Sequence, residues 1–322
     1  MPAYKFSLET LEQLYLNHIP IRISDFENFI NDYSFDAEEK LISKLSKYEI
    51  IQIKWSDIEK VKDKYDKESI NTYCDQINYA AKKGLKVLAT LADSAYPKWF
   101  DNMGGWENPE SPQLFGKFAD YVSANLIGLI SNWVTFSEPN LKLINRYYDF
   151  KKGVFIAKGK ENFLNSSANV VRAHIKSYGK IHEAALNRNI EDASVGVVLN
   201  FGGFYSIKKN FISKNFRNKI KNMFLDNFIS GMIDGTEFIT NKKNTNPGSG
   251  GYSDFIGLTY RDPYYIDFVA SPFAGFNVIR QKNDITESIS SNINDNERDI
   301  IELYRKYDIP IIAITSGKTE LR

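Results

Sequence analysis

A single cysteine, Cys74, leaves no internal disulfide to form, and one thiol suits a reducing compartment or simple disuse of the residue. Histidine is nearly as scarce: His18, His174 and His182, with that one thiol, are too few for a typical zinc site. The separation of His174 and His182 is not metal-ligand spacing on a helix, and both read as ordinary helix residues. No metal or other cofactor is expected. No run of about 18 apolar residues occurs, so no transmembrane helix is expected. The opening MPAYKFSLETLEQLY lacks the charged-then-apolar pattern of a signal peptide. The expectation is a soluble, cytoplasmic protein with no membrane partner. A surplus of charge is missing too. Lys+Arg is 41 and Asp+Glu is 40, a net charge of +1, so nothing offsets a phosphate backbone and nucleic acid is not an expected partner.

Aromatic residues are plentiful by contrast: 22 Phe, 19 Tyr and 4 Trp, enough to line a sugar or base site as well as a core. With 43% hydrophobic and 25% charged residues, collagen-like and wholly disordered chains are excluded. The 322 residues fit either two average domains or one α/β barrel of about 250 residues. No internal repeat or composition shift marks a boundary, so a single domain over 1–322 is expected.

Short apolar runs alternate with helical patterns. Strands are predicted at 19–24, 49–55, 85–92, 132–136, 193–201, 254–260 and 309–315. Helices are predicted over 35–48, 69–84, 111–128, 167–188, 218–232 and 296–308. Nearly all-apolar strands between helices argue for a parallel sheet covered by helices. Seven such strands point to a TIM-type (β/α)8 barrel more than to an open doubly wound sheet. No G-x-G-x-x-G follows an early strand, which weakens a dinucleotide-binding reading. The Gly-rich segments 202–206 and 246–251 have no Lys-Ser/Thr and helix after them, and read as loop tips.

Catalysis in such barrels sits where strands end. The residues leaving the strands are Trp55-Ser56-Asp57, Asp93-Ser94, Ser137-Glu138, Asn200-Phe201, Tyr260-Arg261-Asp262 and Ser316-Gly317. Carboxylates that bond hydroxyls, together with flat apolar rings for the C–H faces, describe a carbohydrate site. The bland alternative is that Asp57 and Asp93 cap helices, and for Asp57 capping is the favoured reading. Glu is not a favoured cap, so capping explains Glu138 poorly.

The segment NWVTFSEPN (132–140) resembles the W-x-T-F-N-E-P-N motif of glycoside hydrolase family 1, the β-glucosidase and β-galactosidase family. The likeness is collinear from about Phe35 to Gly317. IKWSDIEK resembles S-I-x-W-S-R-I-x-P, and TLADSAYPKWF with GGWEN resembles T-L-x-H-x-D-x-P-x-W and G-G-W-x-N. FLDNFISGMIDG resembles F-x-D-P-x-x-x-G-x-Y-P, SDFIGLTY resembles D-F-I-G-x-N-Y, and IPIIAITSG resembles P-I-x-I-T-E-N-G. The resemblance implies a β-glycosidase acting on β-linked glucosides or galactosides, with Glu138 as general acid/base.

The departures are as telling. Ser316 stands where the family has its nucleophilic glutamate, and Asp93 replaces the histidine of the third strand. Ser137 and Thr259 replace two asparagines, and Asp57 replaces the arginine of the second-strand motif. The chain also stops at Arg322, before the family's last strand, so a divergent, C-terminally shortened member is expected. Its barrel would close incompletely, unless an N-terminal or irregular segment or a second copy of the chain filled the gap.

Glu138 and Asp93 are therefore the expected catalytic pair, with Asp262 and Glu320 as other sources of the second carboxylate. Tyr260, Ser137, Asp262 and Ser316 are candidate sugar contacts, with Trp55 and Trp99 as wall or core. Loss of the nucleophile favours a second reading, a catalytically inactive barrel that binds a carbohydrate or a protein partner.

Overall fold

The computed structural model describes residues 48–92, 95–150, 152–208, 210–236, 238, 251–259, 264–267, 277–280, 303 and 305–314. Six strands form one parallel sheet: β1 (Tyr48–Gln52), β2 (Lys86–Ala92), β3 (Asn132–Ser137), β4 (Ser194–Asn200), β6 (Phe255–Thr259) and β9 (Ile311–Ile314). Their spatial order is their chain order, and every neighbouring pair is parallel. Helices α1 (Lys67–Lys82), α2 (Ser111–Leu126) and α4 (Gly159–Leu186) return the chain between the first four strands. Parallel strands in sequential order under a helical coat are the TIM-type (β/α)8 arrangement expected from the sequence. Among the described residues the two end strands, β1 and β9, do not pair, which is compatible with incomplete closure. The strand expected at 19–24 and the helix expected over most of 35–48 lie outside the described residues. So does most of the helix expected at 296–308, of which 303 and 305–307 are helical.

Local chemistry explains the boundaries. Asp66 caps α1, accepting from the N–H groups of Glu68 at 2.9 Å and Ser69 at 3.3 Å. Ile70, Tyr73, Ile77 and Ala80 then recur on one buried face of that helix. Asp57, favoured above as a cap, is none: it lies inside the short turn Trp55–Ile58, and its carboxylate accepts from Tyr73 Oη at 3.2 Å. The Gly-Gly segment that reads as a loop tip leads into a strand, β5 (Phe204–Ser206). It pairs in parallel with β7 (Tyr264–Asp267), which pairs antiparallel with β8 (Asn277–Arg280). Helix α4 begins at Gly159, before the predicted 167. The predicted helix at 218–232 belongs to a longer helical stretch. It comprises α5 (Phe211–Lys221), a π-helical segment Asn222–Asp226, and α6 (Asn227–Asp234).

The core has two parts. The larger lies between sheet and helices. The smaller is Leu88, Val134, Val198 and Phe255, one side chain from each of β2, β3, β4 and β6, and it fills the barrel interior. Gly196 of β4 makes room for it. A Cβ there would collide with the Phe255 carbonyl and the Phe255 ring. At the N-terminal end of the strands, Asp254 locks β6 to β4 and α4. It accepts from Val195 N–H at 2.7 Å, Tyr178 Oη at 2.8 Å and His182 Nε2 at 2.9 Å. Burial pushes this carboxyl up, yet those three bonds outweigh it and hold the group below its usual range. His182 is thus a hydrogen-bond partner of Asp254 rather than an ordinary helix residue.

Candidate active site

Strand β3 carries the site. Its register against β4 shifts between Val134 and Ser137, a bulge that re-aims the strand just before it ends. Thr135 and Phe136 both reach the outer layer. Phe136 packs on Trp106 and Phe115 at 5.3 and 4.8 Å between ring centroids. Thr135 Oγ1 lies 2.6 Å from His174 Nδ1 on α4.

His174 is fully buried. Its Nε2 lies 2.7 Å from the Tyr252 carbonyl, 3.0 Å from the Met232 carbonyl and 3.1 Å from Ser253 Oγ. Carbonyls only accept, so Nε2 carries the ring proton and Nδ1 accepts from Thr135. Burial depresses the imidazole to about 4, against the pull of those carbonyls. In the sequence this residue reads as an ordinary helix position. It is instead a neutral strut joining β3, α4 and the approach to β6.

Glu138 follows the bulge. Its backbone is left-handed, φ 49° and ψ 42°, a conformation that strains a residue with a β-carbon. Its N–H donates to the Val198 carbonyl at 2.8 Å, which ties the turn to β4. It stands at the N-cap position of α3 (Pro139–Tyr147), yet its side chain makes no capping bond. The carboxylate is turned elsewhere: Thr259 Oγ1, at the end of β6, donates to Glu138 Oε1 at 2.5 Å. The residue is 6% exposed.

Two asparagines fix the neighbouring strand end. Asn140 Nδ2 donates to the Asn200 carbonyl at 2.9 Å, and Asn200 N–H donates to Asn140 Oδ1 at 3.0 Å. Asn200 Oδ1 accepts from Gly202 N–H at 3.2 Å. Its Nδ2 is buried without an acceptor among the described residues, and Asn200 pairs in register with Thr259. Buried donors normally find a partner, so this amide is a candidate contact for a ligand oxygen. In the sequence Asn200 and Thr259 stand out only as residues leaving strands or departing from a motif. Their relation to Glu138 depends on strand register, which no local pattern carries.

Of the other expected residues, Ser137 lies beside Glu138, half-buried, and its carbonyl accepts from Lys142 Nζ at 2.7 Å. Trp55 is fully buried in an aromatic cluster with Trp99, Phe100, Phe115 and Phe118. Its indole N–H donates to Glu59 Oε2 at 2.7 Å. Glu59 also accepts from Asp63 N–H, and burial raises its carboxyl above the ordinary value despite both bonds. Trp99 is half-buried and donates to the Glu59 carbonyl at 2.8 Å. Both tryptophans therefore stand in the larger core between sheet and helices. Asp93, Tyr260, Asp262, Ser316 and Glu320 lie outside the described residues. No group of three or more His, Cys, Asp or Glu suited to a metal ion occurs among the described residues.

A buried glutamate on a strained turn at the C-terminal end of a (β/α) barrel strand defines a class, the barrels whose chemistry sits at the strand ends. The sequence pattern of glycosyl hydrolase family 1 matches residues 28–249, and the chain belongs to that family. The matched span includes Trp55, Asp93, Trp99, Ser137 and Glu138, and ends before Tyr260. Among solved structures, a β-glycosidase from Pyrococcus horikoshii superposes with a TM-score of 0.65 at 20% identity, over 82% of this chain and 60% of that one. A family 1 β-glucosidase from Thermotoga maritima gives 0.64 at 17% identity, over 95% and 71%. Among curated relatives, the β-galactosidase of Pyrococcus woesei is 25% identical over 189 residues, 52% of this chain and 35% of its own length. β-Glucosidase 14 of Arabidopsis thaliana is 25% identical over 305 residues, 83% of this chain and 60% of its own. The chain thus spans between about a third and three fifths of these two relatives.

Proposed function

We propose that the protein is a β-glycosidase acting on β-linked glucosides or galactosides, with Glu138 as its general acid/base. The observation that carries this reading is the placement of Glu138: buried, on a left-handed turn, with Oε1 engaged by Thr259. With Oε1 accepting from Thr259, the proposal assigns the transferable proton to Oε2. Glu138 Oε2 gives that proton to the glycosidic oxygen as the bond to the anomeric carbon breaks, and the bonding electrons stay on the leaving oxygen. Asn200 Nδ2 supplies a donor for a substrate hydroxyl.

A second carboxylate completes the reaction, and the usual nucleophile position holds Ser316, which does not ionise near neutral pH and has no evident base. Asp93 is the preferred residue, with Asp262 as the other source. In this scheme Asp93 removes a proton from water as the water oxygen bonds to the anomeric carbon. A base acting through water inverts the anomeric centre. The substrate is a small carbohydrate, no cofactor enters the scheme, and the cytoplasm is the proposed location.

The test is turnover of nitrophenyl β-glucoside and β-galactoside, with NMR of the first-formed sugar. The expected product has inverted configuration. Retention would remove Asp93 as base and move the search to Glu320 or another carboxylate. Absence of turnover with saturable sugar binding would favour the non-catalytic reading that Ser316 suggests.

Thr259 gives a further check. Removing its hydroxyl with Thr259→Val takes away a hydrogen bond to the protonated carboxyl, worth about 0.5–1.5 kcal/mol. The expected result is a fall in kcat of up to roughly tenfold with KM little changed, because the bond orients a proton donor rather than holding sugar. Equal kcat in the variant would show that Thr259 does not position Glu138.

A further inference from the structure

We infer that helix α5, with Phe211 and Ile212 at its start, docks the protein on an anionic phospholipid membrane surface. Residues 206–225, SIKKNFISKNFRNKIKNMFL, contain six Lys or Arg and no Asp or Glu, and without those six cations the chain would carry a net charge of −5. The concentration of positive charge in one short segment is therefore a local feature that the near-neutral total conceals. Helix α5 turns Ser213 and Ile220 inward. Its outward side presents Lys214, Asn215, Asn218 and Lys219. Among the described residues no ion pair engages Lys214, Arg217 or Lys219, whereas Lys221 meets Asp226 at 3.4 Å.

The tip of the helix is apolar. Phe211 is 82% exposed and Ile212 62%, directly after the capping residue Asn210, whose side chain accepts from Ser213 N–H at 2.8 Å. Two large apolar side chains held in water at the start of a basic helix have nothing to cover them among the described residues. A bilayer surface supplies both missing partners: acyl and glycerol layers for Phe211 and Ile212, and headgroup phosphates for the lysines. A nucleic acid would meet the cations, but an aliphatic side chain such as Ile212 gains little from it. The absence of a membrane-spanning helix among the described residues bears only on spanning, not on surface binding.

The location is informative as well. Strand β5, which feeds α5, continues from the C-terminal end of β4, and its partner β7 follows the C-terminal end of β6. Those are the ends that carry Asn200 and Thr259, so the basic helix lies at the same end of the barrel as Glu138.

The experiment is co-sedimentation of the full chain with vesicles of phosphatidylcholine alone, or with about 30% phosphatidylglycerol, at low and high salt. Binding is expected to the anionic vesicles only, and to weaken as salt screens it. Lys214→Glu with Lys219→Glu, and separately Phe211→Ser with Ile212→Ser, should each weaken it by about tenfold or more. Hydrolysis of soluble substrates should be untouched in both variants, which separates this inference from the glycosidase reading. Circular dichroism confirms that they fold. Equal sedimentation with both vesicle types, or no effect of the Phe211/Ile212 pair, would overturn the inference. So would binding to single-stranded RNA in the absence of any vesicle binding.

Discussion

Glu138→Gln is expected to lower turnover of β-glycosides with poor leaving groups by about 10²–10⁴, the usual worth of a positioned general acid. Glutamine keeps the side-chain length and can still accept from Thr259 through its carbonyl. The left-handed turn at φ 49° and the amide bond to Val198 are then left as they are. What disappears is the proton on the second oxygen. Substrates whose leaving group departs as a stable phenolate need that proton less, so the loss on nitrophenyl glycosides should be smaller. The measurement is kcat/KM on an alkyl and a nitrophenyl β-glycoside for both proteins. Equal turnover of both substrates by the variant would refute the assignment. Should Asp93→Asn also leave the rate unchanged, the activity would belong elsewhere.

The second large effect concerns stability and centres on His174. Replacing it by alanine removes a fully buried ring and leaves the Tyr252 carbonyl without its Nε2 donor. Cavity and lost hydrogen bonds together should destabilise the fold by about 3–5 kcal/mol. The wild-type protein carries a pH signature of the same group. Its folded-state value of about 4 lies below the ordinary value of 6.5, so the unfolded chain takes up a proton first. The stability this contributes is complete above about pH 6.5 and declines as pH falls towards 4. The total is on the order of 3 kcal/mol, since each tenfold difference in proton affinity between the folded and unfolded chain is worth about 1.36 kcal/mol. Urea melts at pH 7 and pH 4.5 should reveal the decline in wild type. His174→Phe, which cannot titrate, should lose that part of the dependence. Parallel curves for the two proteins would exclude His174 as the group responsible.

Periodicity carries much of the fold. β2 and β4 are near-continuous apolar runs, and α1 announces itself through the spacing Ile70, Tyr73, Ile77, while its start at the cap Asp66 appears only in the structure. Other features depend on partners far away in the chain. The bulge before Glu138 is invisible in NWVTF because an apolar run reads as one regular strand, whichever way its side chains are aimed. β5 reads as a loop tip because Gly202 and Gly203 precede it, whereas its strand character comes from β7, some sixty residues on. His174 gives no signal because its partners come from Thr135, Met232, Tyr252 and Ser253. Glu138 is legible because capping does not explain it and its motif points to an acid. Thr259 looks like a lost asparagine, and its hydroxyl acquires meaning only 2.5 Å from a carboxylate 121 residues earlier.

The small interior cluster of Leu88, Val134, Val198 and Phe255 has a consequence for traffic. Phe255 fills the space that Gly196 vacates, so among the described residues β2, β3, β4 and β6 line the interior with hydrocarbon below the level of Asn200 and Thr259. A polar molecule beside Glu138 would meet that hydrocarbon layer on this side of the sheet, where losing hydration without new hydrogen bonds is costly, and the C-terminal ends of the strands are its favoured way in and out.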